Sequence, residues 1–365
     1  MTRGRQATNT SQPTLADALR DACAPFTRDE LEMAREPWPH VFADNDSRGL
    51  LPRGEVSIVA APGREGKTFS IVGLAVALAL ELEVGGMRPA HPGRTVIYSA
   101  EDDRQQLARK LLAATANLGR DDAKKVWGSI VVPNLEIREV EWLQTIIAPN
   151  DARQPAPRVG VVAAITDALR DTQIDLIAFE TASTLNDCDE TNQSFRMLVR
   201  VLRKIARELG CAVLLTHHTS QAAMSNLANL NINVGDIRGG TALVSNSRQN
   251  AMLVNLGGED DPFPDDDART KLRRAVLPHV QERAAAWITL DSSKSAAPPP
   301  IFFRWTQTEF GPALAVAPVA RRYAGMSWRQ MQRMVAADTH DGVKRHQRRG
   351  TAADDVDEAY WQDVE

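Results

Sequence analysis

The stretch VSIVAAPGREGKT, Val56 to Thr68, holds the residue types that can cradle a phosphate. Apolar, β-prone residues lead into a turn of small residues. Gly66-Lys67-Thr68 follows, then an apolar run from Phe69 to Leu82. Strand, turn and helix in that order aim backbone N–H groups and the positive end of a helix dipole at one point. Ala61, Pro62, Gly63, Arg64, Glu65, Gly66, Lys67, Thr68 and Phe69 form this candidate loop. The Lys67 ammonium can reach the outer phosphates of a nucleotide, and the Thr68 hydroxyl can ligate Mg²⁺. The pattern departs at Ala61, where a Gly is expected. Ala fits there if its φ is ordinary. A Gly-containing turn that binds nothing is the competing reading, and the strand and helix that flank the turn weigh against it.

Further groups stand at the ends of later apolar runs. TVIYS, Thr95 to Ser99, reads as the next buried strand and delivers Glu101, Asp102 and Asp103 at its tip. On a strand beside the phosphate loop, Glu101 can polarise a water opposite a γ-phosphate. Capping the helix expected over Gln105 to Leu118 is the other use for these acids. IDLIAFE, Ile174 to Glu180, offers Glu180 as an acid that can orient Mg²⁺ through water, although Asp is usual there. CAVLLT, Cys211 to Thr216, leads to His217-His218. Adjacent side chains on a strand point opposite ways, so one His can meet the γ-phosphate while the other packs beneath. His218 is the candidate sensor. No Cys or acid stands at zinc-ligand spacing from the pair. Arg238 and Arg248 have no obvious partner in the chain. Either can enter a neighbouring subunit's nucleotide site, or close an ion pair within its own. Lys294 poses the same choice between a neighbour's phosphate and a turn. Trp38, His40 or Phe42 could stack on a base, with a structural contact as the alternative.

The elements that must position these groups read as an α/β chain. At 365 residues it can bury one large core with small appendages. Apolar residues make 43% and charged residues 25%, with a net charge of -4, so nucleic-acid binding must be local rather than global. No run is long and apolar enough for a membrane span, no secretory h-region follows the basic start, and the three Cys form no framework. A reduced, cytoplasmic setting follows. Three regions are expected: 1–50, a helical and irregular extension with a helix after Thr14 and a loop from Phe42 to Gly54; 51–320, the core; and 321–365, a short helix and a charged, mobile tail. Further expectations are a strand within Val126 to Val132 with Trp127 in the core and a helix from Val140 to Ile147. Asn150 to Arg158 reads as a surface excursion. A helix is expected over Ser194 to Leu209, and a polar loop from Gln221 to Gly235. An acidic excursion should span Gly257 to Asp267, with a helix from Thr270 to Ala286 broken near Pro278. An edge hairpin is expected over Ile301 to Val316.

The order of these features resembles the RecA-like ATPase core, with a mostly parallel central sheet flanked by helices. More closely it resembles the plasmid-encoded RepA-type hexameric replicative helicases of the DnaB-like superfamily. The resemblance runs from Leu51 to Leu290. Ala61 to Thr68 matches the phosphate loop, Ser99-Ala100-Glu101-Asp102 the catalytic-acid segment, and Glu180-Thr181 the metal-associated acid. His217-His218 matches the sensor pair, and Arg238 to Val244 the R-G-[SG]-[ST]-x-L-V stretch. The resemblance implies that Arg248 is the arginine finger and that the segment between His218 and Arg238 faces a central channel and single-stranded DNA. It implies ATP with Mg²⁺, a homo-oligomeric, hexameric ring, and hydrolysis that drives translocation and strand separation. A recombination or loader ATPase without unwinding, or a nucleotide-gated binding module, is the alternative.

Overall fold

The computed structural model describes residues 25–46, 48–134, 144–260 and 263–346. The chain divides into two compact units between Pro37 and Trp38. The described part of the first carries one helix, α1 (Arg28–Met33), none of whose residues is buried. Its start is a reciprocal cap. The Glu30 N–H donates to the Thr27 hydroxyl at 3.2 Å, and the Thr27 N–H donates to the Glu30 carboxylate at 2.7 Å.

The second unit begins with β1 (His40–Ala43), β2 (Gly49–Pro52), β3 (Val56–Ala61), α2 (Lys67–Leu80), β4 (Thr95–Ser99), α3 (Arg104–Thr115), α4 (Arg120–Ser129) and β5 (Ile130–Val131). It continues with β6 (Ile147–Pro149), β7 (Pro155–Pro157), α5 (Val159–Leu169), β8 (Leu176–Glu180), α6 (Asn192–Leu209), β9 (Ala212–His218), α7 (Ala223–Ala228) and α8 (Gly240–Asn246). It ends with β10 (Gln249–Gly257), α9 (Ala268–Val276), β11 (Ala284–Ser292), β12 (Ile301–Thr308), β13 (Gly311–Val316) and α10 (Trp328–His346). Nine strands form one sheet in the order β13-β12-β11-β10-β3-β9-β8-β4-β5. Neighbours from β10 to β5 run parallel, and β10 to β13 pair antiparallel. The expected P-loop α/β core forms, with a mixed sheet whose larger part is parallel.

Burial on both faces explains the apolar runs of the parallel strands. Along β3, Val59 and Ala61 enter the core beneath α2, while Val56, Ile58 and Ala60 enter the one beneath α5 and α6. Helix α6 turns Phe195, Leu198, Val199, Leu202 and Ile205 into that second core. Gly210, at φ 65°, ends it. A third core gathers Leu272 and Val276 of α9 with Trp328, Met331 and Val335 of α10. Among the described residues no helix is long and apolar enough to cross a membrane.

Several local expectations are corrected. The span after Phe42 is not a loop: β1 and β2 form a hairpin whose Val41, Phe42, Leu50 and Leu51 are buried in the core beneath α2. Trp38 to residue 50 and the described residues 321–346 therefore belong to the same compact unit as the core. The strand expected within Val126 to Val132 forms as β5 (Ile130–Val131), but Val126 and Trp127 lie before it on α4, begun by Asp121 and Asp122 in its first turn, and Trp127 is 46% exposed rather than core. Residues 147–157 make a small hairpin of β6 and β7 in place of a helix end and an excursion. Helix α2 stops at Leu80, where Glu81 turns left-handed, just short of the end of the apolar run at Leu82. Helix α9 ends at Val276, and β11 has begun by Ala284. The polar segment after Gln221 contains the short helix α7. The helix expected after Thr14, the first half of Val140 to Ile147 and the tail beyond His346 lie outside the described residues.

Candidate nucleotide site

The phosphate loop leaves the end of β3 and enters α2 as its sequence implies. Ala61 closes the strand fully buried and is not among the left-handed residues, so its departure from Gly is sterically free. The loop's left-handed positions are Arg64, at φ 63°, and Gly66, at φ 91°. A Cβ on Gly66 would also come within 2.8 Å of the Trp305 ring. Lys67 is buried, and its Nζ donates to the carbonyls of Pro62 at 3.3 Å and Ala61 at 3.5 Å. Burial lowers the Lys67 pKa, and Glu101, Glu180 and Glu65 oppose that fall. Glu65 itself accepts a hydrogen bond from Arg283 at 3.0 Å.

The acid after β4 does not arrive from a neighbouring strand. β4 is third from β3, with β9 and β8 between them. Glu101 still reaches the site, because it lies beyond the β4 tip, where its carboxylate meets Thr181 just past β8 and approaches His218 at the end of β9. Its Oε1 accepts a hydrogen bond from the Thr181 hydroxyl at 3.0 Å and lies 3.8 Å from His218 Nε2. His218 Nδ1 is 3.5 Å from Lys67 Nζ. The three acids divide their work. Asp103 caps α3, Asp102 pairs with Lys110, and Glu101 alone turns to this cluster.

Glu180 is 2% exposed, and burial raises its pKa to about 7. The Thr68 side chain hydrogen-bonds this carboxylate, while its Oε2 has no partner among the described residues. An oxygen-only set with one buried oxygen to spare is the chemistry Mg²⁺ takes, so Thr68 and Glu180 fit that ion. The two histidines split as the strand geometry requires. His217 is fully buried against Phe195, at 5.3 Å between ring centroids, and burial lowers its pKa to about 4. His218 faces the site, and burial with the nearby Lys67 charge lowers its pKa.

A profile of the AAA-domain family matches residues 41–224. The chain belongs to the AAA-domain family. The match contains the phosphate loop, Glu101, Glu180 and His218, and it ends within α7. The AAA domain is an ATP-binding module, in keeping with the cradle at Gly63 to Thr68. No curated protein matches the sequence significantly. Among solved structures, one of a DnaB-like replicative helicase and its interactions with primase superposes with a TM-score of 0.48 at 14% identity, over 84% of this chain and 68% of that one. A second solved structure, of another protein's ATPase domain, gives a TM-score of 0.47 at 13% identity, over 83% of this chain and 99% of that one.

The remaining candidates lie elsewhere, and Arg238, Arg248 and Lys294 fall beyond the matched residues. Arg238 pairs with Glu190 at 2.8 Å, and its N–H donates to the His218 carbonyl at 3.0 Å. Arg248 sits at the opposite ends of the strands from the phosphate loop, where its N–H donates to the Val56 carbonyl. Lys294 shares that end, 3.6 Å from the Trp38 ring centroid. Trp38 donates to the Arg53 carbonyl just before β3, and Phe42 is fully buried, so the base-stacking expectation for these residues is withdrawn. His40 goes with them, because its Nδ1 lies 2.6 Å from the Trp38 carbonyl. Sequence reasoning missed Thr181 as the residue that orients Glu101. It also missed Trp305 and Arg283, which support the loop from strands far along the chain and leave no local signal.

Proposed function

We propose that the protein is an ATP hydrolase of the RepA type, a replicative DNA helicase that works as a hexameric ring on single-stranded DNA. One observation carries the reading. Lys67, His218, Glu101 and Thr181, from four strand ends, contact one another in a chain beside the Thr68–Glu180 pair. The loop N–H groups and the Lys67 ammonium bind the triphosphate, and Glu101, Glu180 and Glu65 oppose the fall in the Lys67 pKa that burial causes. Held by Thr68 and Glu180, Mg²⁺ would supply charge neutralisation at the β- and γ-phosphates. Glu101, oriented by Thr181, takes the proton of a water attacking the γ-phosphorus. The bond to the β–γ bridging oxygen breaks, leaving ADP and phosphate. His218 stands between Lys67 and Glu101, where the γ-phosphate belongs. Its carbonyl holds Arg238, and Thr219 bridges Ile237, so a shift of His218 moves the neck of residues 219–237, the proposed DNA-facing segment.

The charge distribution supports a head-to-tail ring. At the phosphate-loop end Glu65 and Asp102 are paired with Arg283 and Lys110, while at the other end of the strands Arg203, Arg207 and Arg248 share the single carboxylate of Glu55 and leave positive charge over. Stacking one end on the next subunit's other end brings that charge, with Arg248, to a triphosphate. The test combines particle size with and without ATP and Mg²⁺, phosphate release with and without single-stranded DNA, and separation of a forked duplex. Closed rings that unwind the fork support the proposal. Open filaments without unwinding favour a recombination-type ATPase. A low rate that ignores DNA and survives Glu101→Ala favours a nucleotide-gated binding module.

A further inference from the structure

We propose that Glu55 is the positioning residue for Arg248, sorting three guanidiniums so that Arg248 is aimed by charge but keeps its donors free. The proposal rests on the reading that Arg248 completes a neighbouring subunit's nucleotide site.

Glu55 lies one residue before β3 and is 1% exposed. A carboxylate so deep must be compensated by cations. Three converge on it. Arg203 Nε lies 2.7 Å from Oε2, Arg207 Nη2 lies 2.9 Å from Oε1, and Arg248 Nε lies 3.7 Å from Oε2. The first two are tied again elsewhere. Arg203 also donates to the Asn246 carbonyl at the end of α8, and Arg207 to the Gly54 carbonyl at 3.4 Å. Arg248 differs from both. Its backbone is fixed by the bond to Val56, yet its guanidinium makes no hydrogen bond among the described residues, whereas those of Arg203 and Arg207 are each anchored on a backbone carbonyl. The buried Nε atoms of Arg203 and Arg248 both lack a hydrogen-bond partner, so the two differ in that anchor and in their distance from Oε2.

Two guanidiniums already compensate Glu55. A third adds repulsion from its neighbours and gains no hydrogen bond, so stability of the subunit gives no reason for it. One carboxylate facing one arginine would instead form a two-pronged fork that occupies the donors and cancels the charge. Here Arg203 and Arg207 hold the short positions, and Arg248 is kept at ion-pair distance with its side chain 35% exposed. The cluster carries surplus positive charge, and an anion of the neighbouring subunit is its complement.

The test uses full-length Glu55→Gln, Arg248→Ala, Arg207→Ala and Lys67→Ala proteins. Phosphate release, affinity for a fluorescent ATP analogue and particle size are read for each. Glu55→Gln is expected to lower kcat at least ~10-fold through misaimed Arg248, with nucleotide affinity and assembly unchanged. Mixing it with Lys67→Ala subunits should restore activity, because its intact phosphate loop then meets an intact Arg248. Arg248→Ala should be rescued in the same way. If Arg248→Ala is not rescued, the trans reading fails, and the proposal with it. If Arg248→Ala is rescued while Glu55→Gln keeps full kcat or resists rescue, only the role of Glu55 is overturned. Should Glu55→Gln fail to fold, Arg207→Ala decides, since that side chain is 60% exposed. Freed Oε1 then draws Arg248 inward and lowers kcat about 5-fold. An unchanged kcat overturns the proposal.

Discussion

Burial brings the Glu180 pKa into the neutral range, and that makes its titration measurable as stability. Its pKa rises from 4.5 to about 7, chiefly through desolvation. At 1.36 kcal/mol per tenfold change, ionising it in the fold costs about 3 kcal/mol. The folded value exceeds the unfolded one, so this cost is absent below the unfolded pKa. It accrues as pH rises and is complete above the folded pKa. Glu180→Gln keeps the shape and has no charge to bury. Between about pH 5 and about pH 8 its stability relative to the parent should therefore climb by about 2.5 kcal/mol, read from urea midpoints. Loading with Mg²⁺ and nucleotide favours the carboxylate. At about pH 7 the parent should thus release about half a proton more than Glu180→Gln, read by calorimetry in buffers of different ionisation enthalpy. A stability difference that stays flat across that range, with equal proton release, refutes the reasoning.

Lys67→Ala removes the charged donor of the loop and should weaken binding of a fluorescent ATP analogue about 30-fold or more. Glu101→Gln should leave that binding unchanged while phosphate release falls by about 10²-fold or more. Gly66→Ala forces a Cβ toward Trp305 at a φ of 91° and should cost about 1–3 kcal/mol in thermal unfolding. At Gly63 the added Cβ meets nothing within 4 Å, so Gly63→Ala should unfold at the parent temperature. His217 has its pKa lowered from 6.5 to about 4 by burial, so its contribution is whole above the unfolded pKa and lost as pH falls through about 4. His217→Phe should lack that acid-side loss, read from urea midpoints between about pH 7 and about pH 4.

The phosphate loop was legible because it is local. Val56 to Thr68 encodes strand, turn and helix in consecutive residues. The strand-end acids and histidines were legible for the same reason, since each terminates an apolar run. The order of those strands was not legible. Nothing in TVIYS says that β8 and β9 will insert between β4 and β3. The reach of Glu101 across two strand ends thus needed the fold. So did the support of Gly66 by Trp305 and of Glu65 by Arg283, contacts between residues far apart in the chain. The β1–β2 hairpin was misread because Asp44 to Gly49 carries strong turn signals that hide its two short strands. Trp127 was misread because an aromatic in a mixed window counts as core until the helix face is known.

The strand order has a consequence for synthesis on the ribosome. Earlier-emerging residues supply the phosphate cradle and Glu101, but β8 and β9, which fill the space between them, come more than a hundred residues after the cradle. Until that later stretch has emerged, Glu101 has no Thr181 to orient it and no His218 beside it. A half-made polypeptide therefore cannot bring the cradle, Glu101, Thr181 and His218 together, and the hydrolysis proposed for that cluster has to wait for the later stretch.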